Sequence, residues 1–143
     1  MPKWLFAALL LLQTHFAVSF LVPLDAGAQR EFRGLLRWAW PWSEGDSGPL
    51  GQVTVSDGVP LVGLFLAMGA GFFLVMAVLS VFGFIVPQAW WRYLTIAGAA
   101  LSILLMVLFP GFTKLIPLAV AGAMIWFAVN TWSESTWATA ATE

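Results

Sequence analysis

Charge is missing from four long parts of this chain. Uncharged stretches run from Trp4 to Leu24, Gly58 to Trp91, Tyr93 to Thr113 and Leu115 to Ser133. Each supplies the ~20 residues that a helix needs to cross a bilayer. They predict an all-α membrane protein, a single integral domain over residues 1–143 with four transmembrane helices near 4–24, 59–86, 90–109 and 114–132.

Punctuation residues sharpen these bounds. Pro23 lacks an amide hydrogen and marks the exit of the first span. Ser56 or Asp57 can cap the second, and Pro60 suits its first turn. From Val59 to Val86 that span would be about 42 Å long at 1.5 Å per residue, more than the lipid core of about 30 Å. It must tilt, project or break near Ser80 to Gly83. Pro87 closes it, Pro110-Gly111 closes the third span, and Pro117 fits the first turn of the fourth.

Polar and apolar positions alternate at helical spacing in only one place, AQREFRGLLRWAWPW, between spans one and two. A helix over about 28–40 gathers Phe32, Leu35, Leu36 and Ala39 on one side and Arg30, Arg33 and Arg37 on the other. An amphipathic interfacial helix is expected here, with its guanidinium groups among lipid headgroups. Trp38, Trp40 and Trp42 carry rings suited to that depth; at the start of span three Trp90 and Trp91 add an aromatic girdle and Arg92 a charge that can reach the headgroups. The competing reading is a solvated face of an ordinary connector. SEGDSGPLGQ then reads as a turn-rich loop, followed by a VTV run too short to name a strand.

Composition agrees with a bilayer protein: 61% of residues are hydrophobic and 9% charged, against roughly 25% charged in soluble domains. A net charge of −1 offers no basic surface to a nucleic acid, which excludes that class of partner. With no cysteine there is no disulfide and no thiolate chemistry. MPKWLFAALLLLQTHF has the short basic start and apolar core of a secretory signal, with conceivable cleavage after AVS or AGA. An uncleaved first span is the expectation. Arg30, Arg33, Arg37 and Lys114 lie in the first and third connections, Lys3 and Arg92 at the N-terminus and in the second. Positive residues favour the cytoplasmic side, so both termini are expected outside, in a prokaryotic cytoplasmic membrane; the rival reading is a signal-anchor held by Lys3 and the N-terminal amine, with both termini inside.

No Asp, Glu, Lys or Arg falls in the middle of a span, where an ionisable group would mark a relay or transport path. His15, beside Gln13 and Thr14, is the candidate for chemistry. Its imidazole could ligate a haem or a chlorophyll-type pigment, with Ser19 orienting the ring. A hydrogen bond to another helix is the better reading, because one histidine cannot supply two haem ligands or a three-histidine metal site. No catalytic or metal-binding set is legible. Small residues recur at four-residue spacing: Gly63, Ala67 and Gly71 on span two, Gly98 and Ser102 on span three, Ala119 and Ala123 on span four. These strips let helices approach closely.

The expected function is that of a non-catalytic accessory or structural small subunit of a larger membrane protein complex, of electron-transfer or photosynthetic type. Its partners would be membrane lipid and either a larger membrane protein or further copies of itself. A small transporter component or homo-oligomeric channel is the alternative. A lipid-acting enzyme with His15 as base ranks last. Replacing Arg30, Arg33 and Arg37 together by Glu is expected to disturb topology or assembly. Cysteine accessibility in intact membranes would test this; unchanged topology and unchanged partner recovery would refute it.

Overall fold

In a helix that is apolar all round, hydropathy does not choose the face that turns inward; side-chain size can. The computed structural model describes residues 1–31, 38–49, 51–53 and 59–131. Helix α1 spans Lys3–Val18 and tightens into a 3-10 turn at Ser19–Leu21. A short helix α2, Ala26–Glu31, and a hairpin of β1, Ser47–Gly48, with β2, Gly51–Gln52, follow. Then come α3 (Leu61–Phe82), α4 (Trp91–Leu108) and α5 (Leu115–Asn130), the last two entered through 3-10 turns at Gln88–Trp90 and Phe112–Lys114. Among the described residues, four helices are long and apolar enough to cross a bilayer. The chain is an integral membrane protein built as a four-helix bundle.

Inward positions step by four and three in every long helix. They are Phe6, Leu10, Gln13, Ala17 and Phe20 from α1; Gly63, Ala67, Ala70, Leu74, Ala77 and Val81 in α3; Trp91, Thr95, Gly98, Ser102 and Leu105 in α4; and Pro117, Ala121, Met124 and Ala128 in α5. Such steps average 3.5 residues, the repeat of helices that cross at a shallow left-handed angle of about 20°. The inner face of α3 is mostly Gly and Ala, while Leu61, Phe65, Met68 and Phe72 point outward. Bulk thus faces lipid and small residues face protein, because lipid is as apolar as a leucine side chain and close approach is what remains to be gained.

Phe6 meets Trp91 edge to face at 5.3 Å and Phe20 meets Phe109 at 5.1 Å, so α1 and α4 run parallel. Helix α3 runs antiparallel between them, bringing Phe82 to Trp4 at one end and Gly63 to Phe20 at the other. Helix α5 packs on α4 and touches α1 less. The core forms two apolar clusters, one around Phe6, Leu74, Trp91 and Met124 and one around Phe20, Trp42, Ala67 and Phe109.

The described residues show the helix expected over 28–40 only in part. Helix is seen at Ala26–Glu31, where Asp25 Oδ1 accepts from the Ala28 amide at 2.6 Å as an N-cap. Residues 32–37, with Arg33 and Arg37, lie outside the described residues, as do Ser56, Asp57 and Trp132. The hairpin pairs Ser47 with Gln52 and Gly48 with Gly51. Two-residue strands rich in glycine carry no period, which is why SGPLGQ read as loop.

Helix α3 stops at Phe82 because Gly83 takes the left-handed conformation at φ 71°. The Phe84 amide then reaches Leu79 O at 2.8 Å and the Gly83 amide Ser80 O at 3.0 Å, the double closure of a Schellman cap. Two residues on, Ile85 sits at φ 63° in a tight turn whose Val86 amide donates to Phe84 O at 2.5 Å. A β-branched residue is strained there, at a cost of roughly 1–3 kcal/mol. Ser80 Oγ donating to Pro87 O at 2.6 Å and Gln88 Nε2 to Val81 O at 3.2 Å hold the turn in place. Because the Ile85 side chain is 95% exposed, Ile85→Gly relieves the strain and gives up little packing. It is expected to stabilise the fold by about 1 kcal/mol, read as a higher unfolding midpoint in detergent; a lower midpoint would refute the strain.

Candidate functional site

A helix leaves its last carbonyls without partners, and in a bilayer protein water cannot supply them all. At the end of α1 the segment from Trp38 to Asp46 supplies them instead. Trp42 Nε1 donates to Phe16 O at 2.6 Å and Trp40 Nε1 to Val22 O at 2.9 Å. The Leu24 amide donates to Trp42 O and the Glu44 amide to Leu24 O, which aligns the segment parallel to the chain leaving α1. On its other side Trp38 packs on Phe112 at 5.1 Å, and Thr113 Oγ1 donates to Pro41 O at 2.9 Å. The segment is a strap tying α1 to the start of α5.

Trp42 is the centre of this strap and is fully buried. Phe20 meets its ring edge to face at 4.8 Å, and Lys114 Nζ lies 4.7 Å from the ring centre. The Lys114 ammonium is 2.8 Å from Asp46 Oδ2, with the lysine side chain 3% exposed and the aspartate 20%. The contact is ionic; the ammonium makes no well-directed hydrogen bond. Asp46 Oδ2 also accepts from the Ser43 amide at 2.9 Å, so the carboxylate is fixed by its own loop before it meets the lysine. A cation at the N-terminus of α5 opposes the helix dipole, and the carboxylate offsets both. Gly48 completes the dock: a Cβ there would stand 1.6 Å from Leu108 O, so only glycine lets the hairpin rest on the end of α4.

His15 also serves the strap. Its Nε2 lies 2.9 Å from Ala39 O, and Trp40 meets the ring edge-on at 5.1 Å. A carbonyl only accepts, so Nε2 is the donor in this bond. A haem or pigment metal at Nε2 would have to displace this bond. Ser19 donates to Phe16 O at 3.1 Å and does not orient the ring.

The expected interface residues separate into groups. Arg30 is exposed on α2 and Trp90 is exposed beside the α3–α4 turn. Trp38 and Trp40 are half-buried against the bundle, and Arg92 lies over the Trp91 ring while its guanidinium donates to Thr131 O. Trp42 and Trp91 are interior residues: their rings pack on Phe20 and Phe6, so neither is a lipid anchor. Gly63, Ala67, Gly71, Gly98 and Ser102 turn inward as packing positions, whereas Ala119 and Ala123 face outward. Helix α5 packs through Pro117, Ala121, Met124 and Ala128 because its run AVAGA carries small residues on more than one face. Asn130 Nδ2 donates to Trp126 O at 2.9 Å, closing its own helix end. Asp46 and Thr113 had no signal of their own, and Lys114 was read only for topology; a lone cation at the edge of a span is the feature that could have prompted a search for its counter-charge.

Among the described residues no group of three or more His, Asp or Glu is placed to hold a metal ion. Fold and site together define a class, an integral membrane four-helix bundle strapped at one end by its first connection. No family model matches the chain, and no curated protein or solved structure matches it either.

Removing one partner of a buried ion pair leaves the other uncompensated, at a cost of about 3–5 kcal/mol, while replacing both costs less. Asp46→Ala is therefore expected to lower stability more than the double variant Asp46→Ala with Lys114→Met. Denaturation of all variants in the same detergent checks this; additive losses would show that the pair is not coupled.

Proposed function

We propose that this chain is a non-catalytic small subunit of a larger membrane protein complex, seated through the outward face of α5. The observation that carries this reading is an exposed strip of small residues with open space beside it. Wherever another helix glycine faces a neighbour, a side chain fills the space: a Cβ at Gly63 would meet Phe20 at 2.4 Å, at Gly71 Val18 at 2.6 Å, and at Gly98 Leu74 at 2.7 Å. Gly122 has nothing within 4 Å. Ala119 and Ala123 are exposed beside it, and Trp126, 67% exposed, lies one turn on. In a bilayer such a strip of small residues is where another helix gains by close packing.

The polar groups at the bundle ends support a structural role. His15 holds the strap, Lys114 and Asp46 hold each other, and Arg92 reaches Thr131 O. An electron-transfer or photosynthetic assembly suits the aromatic outer surface, where Trp4, Phe65, Phe72 and Trp126 are exposed. Arg30 and Lys114 lie at the strap end, and Arg33 and Arg37 follow Arg30 in the same connection of the sequence; we place this end on the cytoplasmic side of a prokaryotic inner membrane with both termini outside. Residues 28–40 would then lie along the anionic headgroups.

Gentle solubilisation from native membranes, followed by identification of co-migrating proteins and an absorption spectrum of the same peak, tests the reading. Gly122→Leu is expected to leave the helical content and unfolding midpoint near those of the unmodified chain and to abolish co-migration. Gly98→Leu, directed at a filled contact, is expected to destabilise the fold itself. A chain that always migrates alone would refute the subunit reading. Cross-linking of an Ala123→Cys variant only to itself would place a second copy on this strip and favour a homo-oligomeric channel.

A further inference from the structure

A polar side chain inside a lipid-embedded bundle must find its partner within the protein or in bound water. Hydroxyls elsewhere in the spans find one: Thr14 Oγ1 donates to Leu10 O at 2.8 Å, and Ser80 Oγ to Pro87 O. Gln13, Thr95 and Ser102 do not. All three are 0% exposed, and Oε1 and Nε2 of Gln13, Oγ1 of Thr95 and Oγ of Ser102 have no partner among the described residues.

These side chains fall within about 11 Å of one another along the bundle axis. Thr95 and Ser102 are two turns apart on the inward face of α4, and Gln13 is on the inward face of α1. The contacts Phe6–Trp91 and Phe20–Phe109 set the two helices in parallel register. Gln13 is halfway between Phe6 and Phe20, and the residue halfway between Trp91 and Phe109 is Ala100, so the carboxamide lies at a depth between the two hydroxyls. The apolar core divides at the same depth. Leu10 and Leu74 belong to one cluster and Phe16 and Leu105 to the other, while Gln13, Thr95 and Ser102 belong to neither. On the two remaining helices, α3 and α5, the inward residues Ala70 and Ala121 are short; on α4, between Thr95 and Ser102, the place of a side chain at Gly98 is taken by Leu74.

The unpaired atoms specify what they would bind. Gln13 Nε2 only donates, Oε1 only accepts, and the hydroxyls do both. A cation would satisfy the oxygens and leave Nε2 stranded, and no carboxylate is present at this level to balance its charge. The occupant must donate and accept, be neutral, and be small enough for the interior of a helix bundle. We infer that Gln13, Thr95 and Ser102 form a mid-membrane binding site for water, in which bound molecules bridge the carboxamide on α1 to the hydroxyls on α4. A buried water usually makes about three hydrogen bonds, a number this set can supply. The site is a property of the single chain and does not depend on any partner.

Water-edited solid-state NMR on the full chain in lipid bilayers, with the glutamine side chains isotopically labelled, tests the assignment. The Gln13 carboxamide is expected to receive magnetisation from water, and Gln13→Leu identifies its resonance by deleting it. Ser102→Ala, a substitution small enough to keep the helix packed, is expected to cause loss of most of that transfer and to lower the unfolding midpoint. No transfer to Gln13 in the unmodified chain, or a Ser102→Ala variant that is more stable with the Gln13 resonance unmoved, means a dry core and overturns the proposal. A Gln13 resonance that shifts when sodium is exchanged for a bulky organic cation would assign the site to an ion and overturn it equally.

Discussion

Close approach of helix backbones is the constraint on which this structure rests. Between helices in a bilayer there is no water to expel, so association depends on dispersion contacts and on the few hydrogen bonds available. Gly63, Gly71 and Gly98 provide that approach, each set against a side chain that would collide with a Cβ. The regular four-and-three stepping of inward positions follows, because only that repeat keeps the small faces in register along the whole length of the helices. On α3 the large side chains Leu61, Phe65, Met68 and Phe72 are left for the outer surface, where lipid accepts them without requiring a defined geometry.

Close packing also decides where polar groups can go. Two apolar clusters fill the ends of the bundle, and the level between them is given to Gln13, Thr95 and Ser102. At one end, the gap that α1 and α5 leave is closed by the strap, whose tryptophans donate to Phe16 O in α1 and to Val22 O just beyond it while its aspartate meets Lys114. One indole thus performs three tasks at Trp42: it caps a carbonyl, fills a core position, and shields a buried cation with its π face.

The four apolar helices were legible because length and absence of charge are one-dimensional properties. Their inner faces were legible only in part. On α3 the small residues fall mainly on one face, and Gly63, Ala67 and Gly71 do point inward; on α5 they crowd several faces, and Ala119 and Ala123 point outward. Tryptophan misled for a physical reason, since the same amphipathic ring that suits a headgroup layer suits a buried carbonyl; Trp42 and Trp91 took the interior. The hairpin had no period to show. The Asp46–Lys114 pair joins residues that no spacing rule connects, and Lys114 read alone looked like one more topological charge.

That pair also has a consequence for biosynthesis. Translation proceeds from the N-terminus, so Asp46 is made before α3, α4 and Lys114 exist, and the strap cannot close on its counter-charge until the last span has begun to emerge. Throughout that interval the α1 carbonyls and the Trp42 indole can meet, but the cation that completes their enclosure is missing. The order of synthesis therefore keeps the strap open until the last span arrives, and a chain truncated before residue 114 would carry all of the strap and lack the cation that closes it.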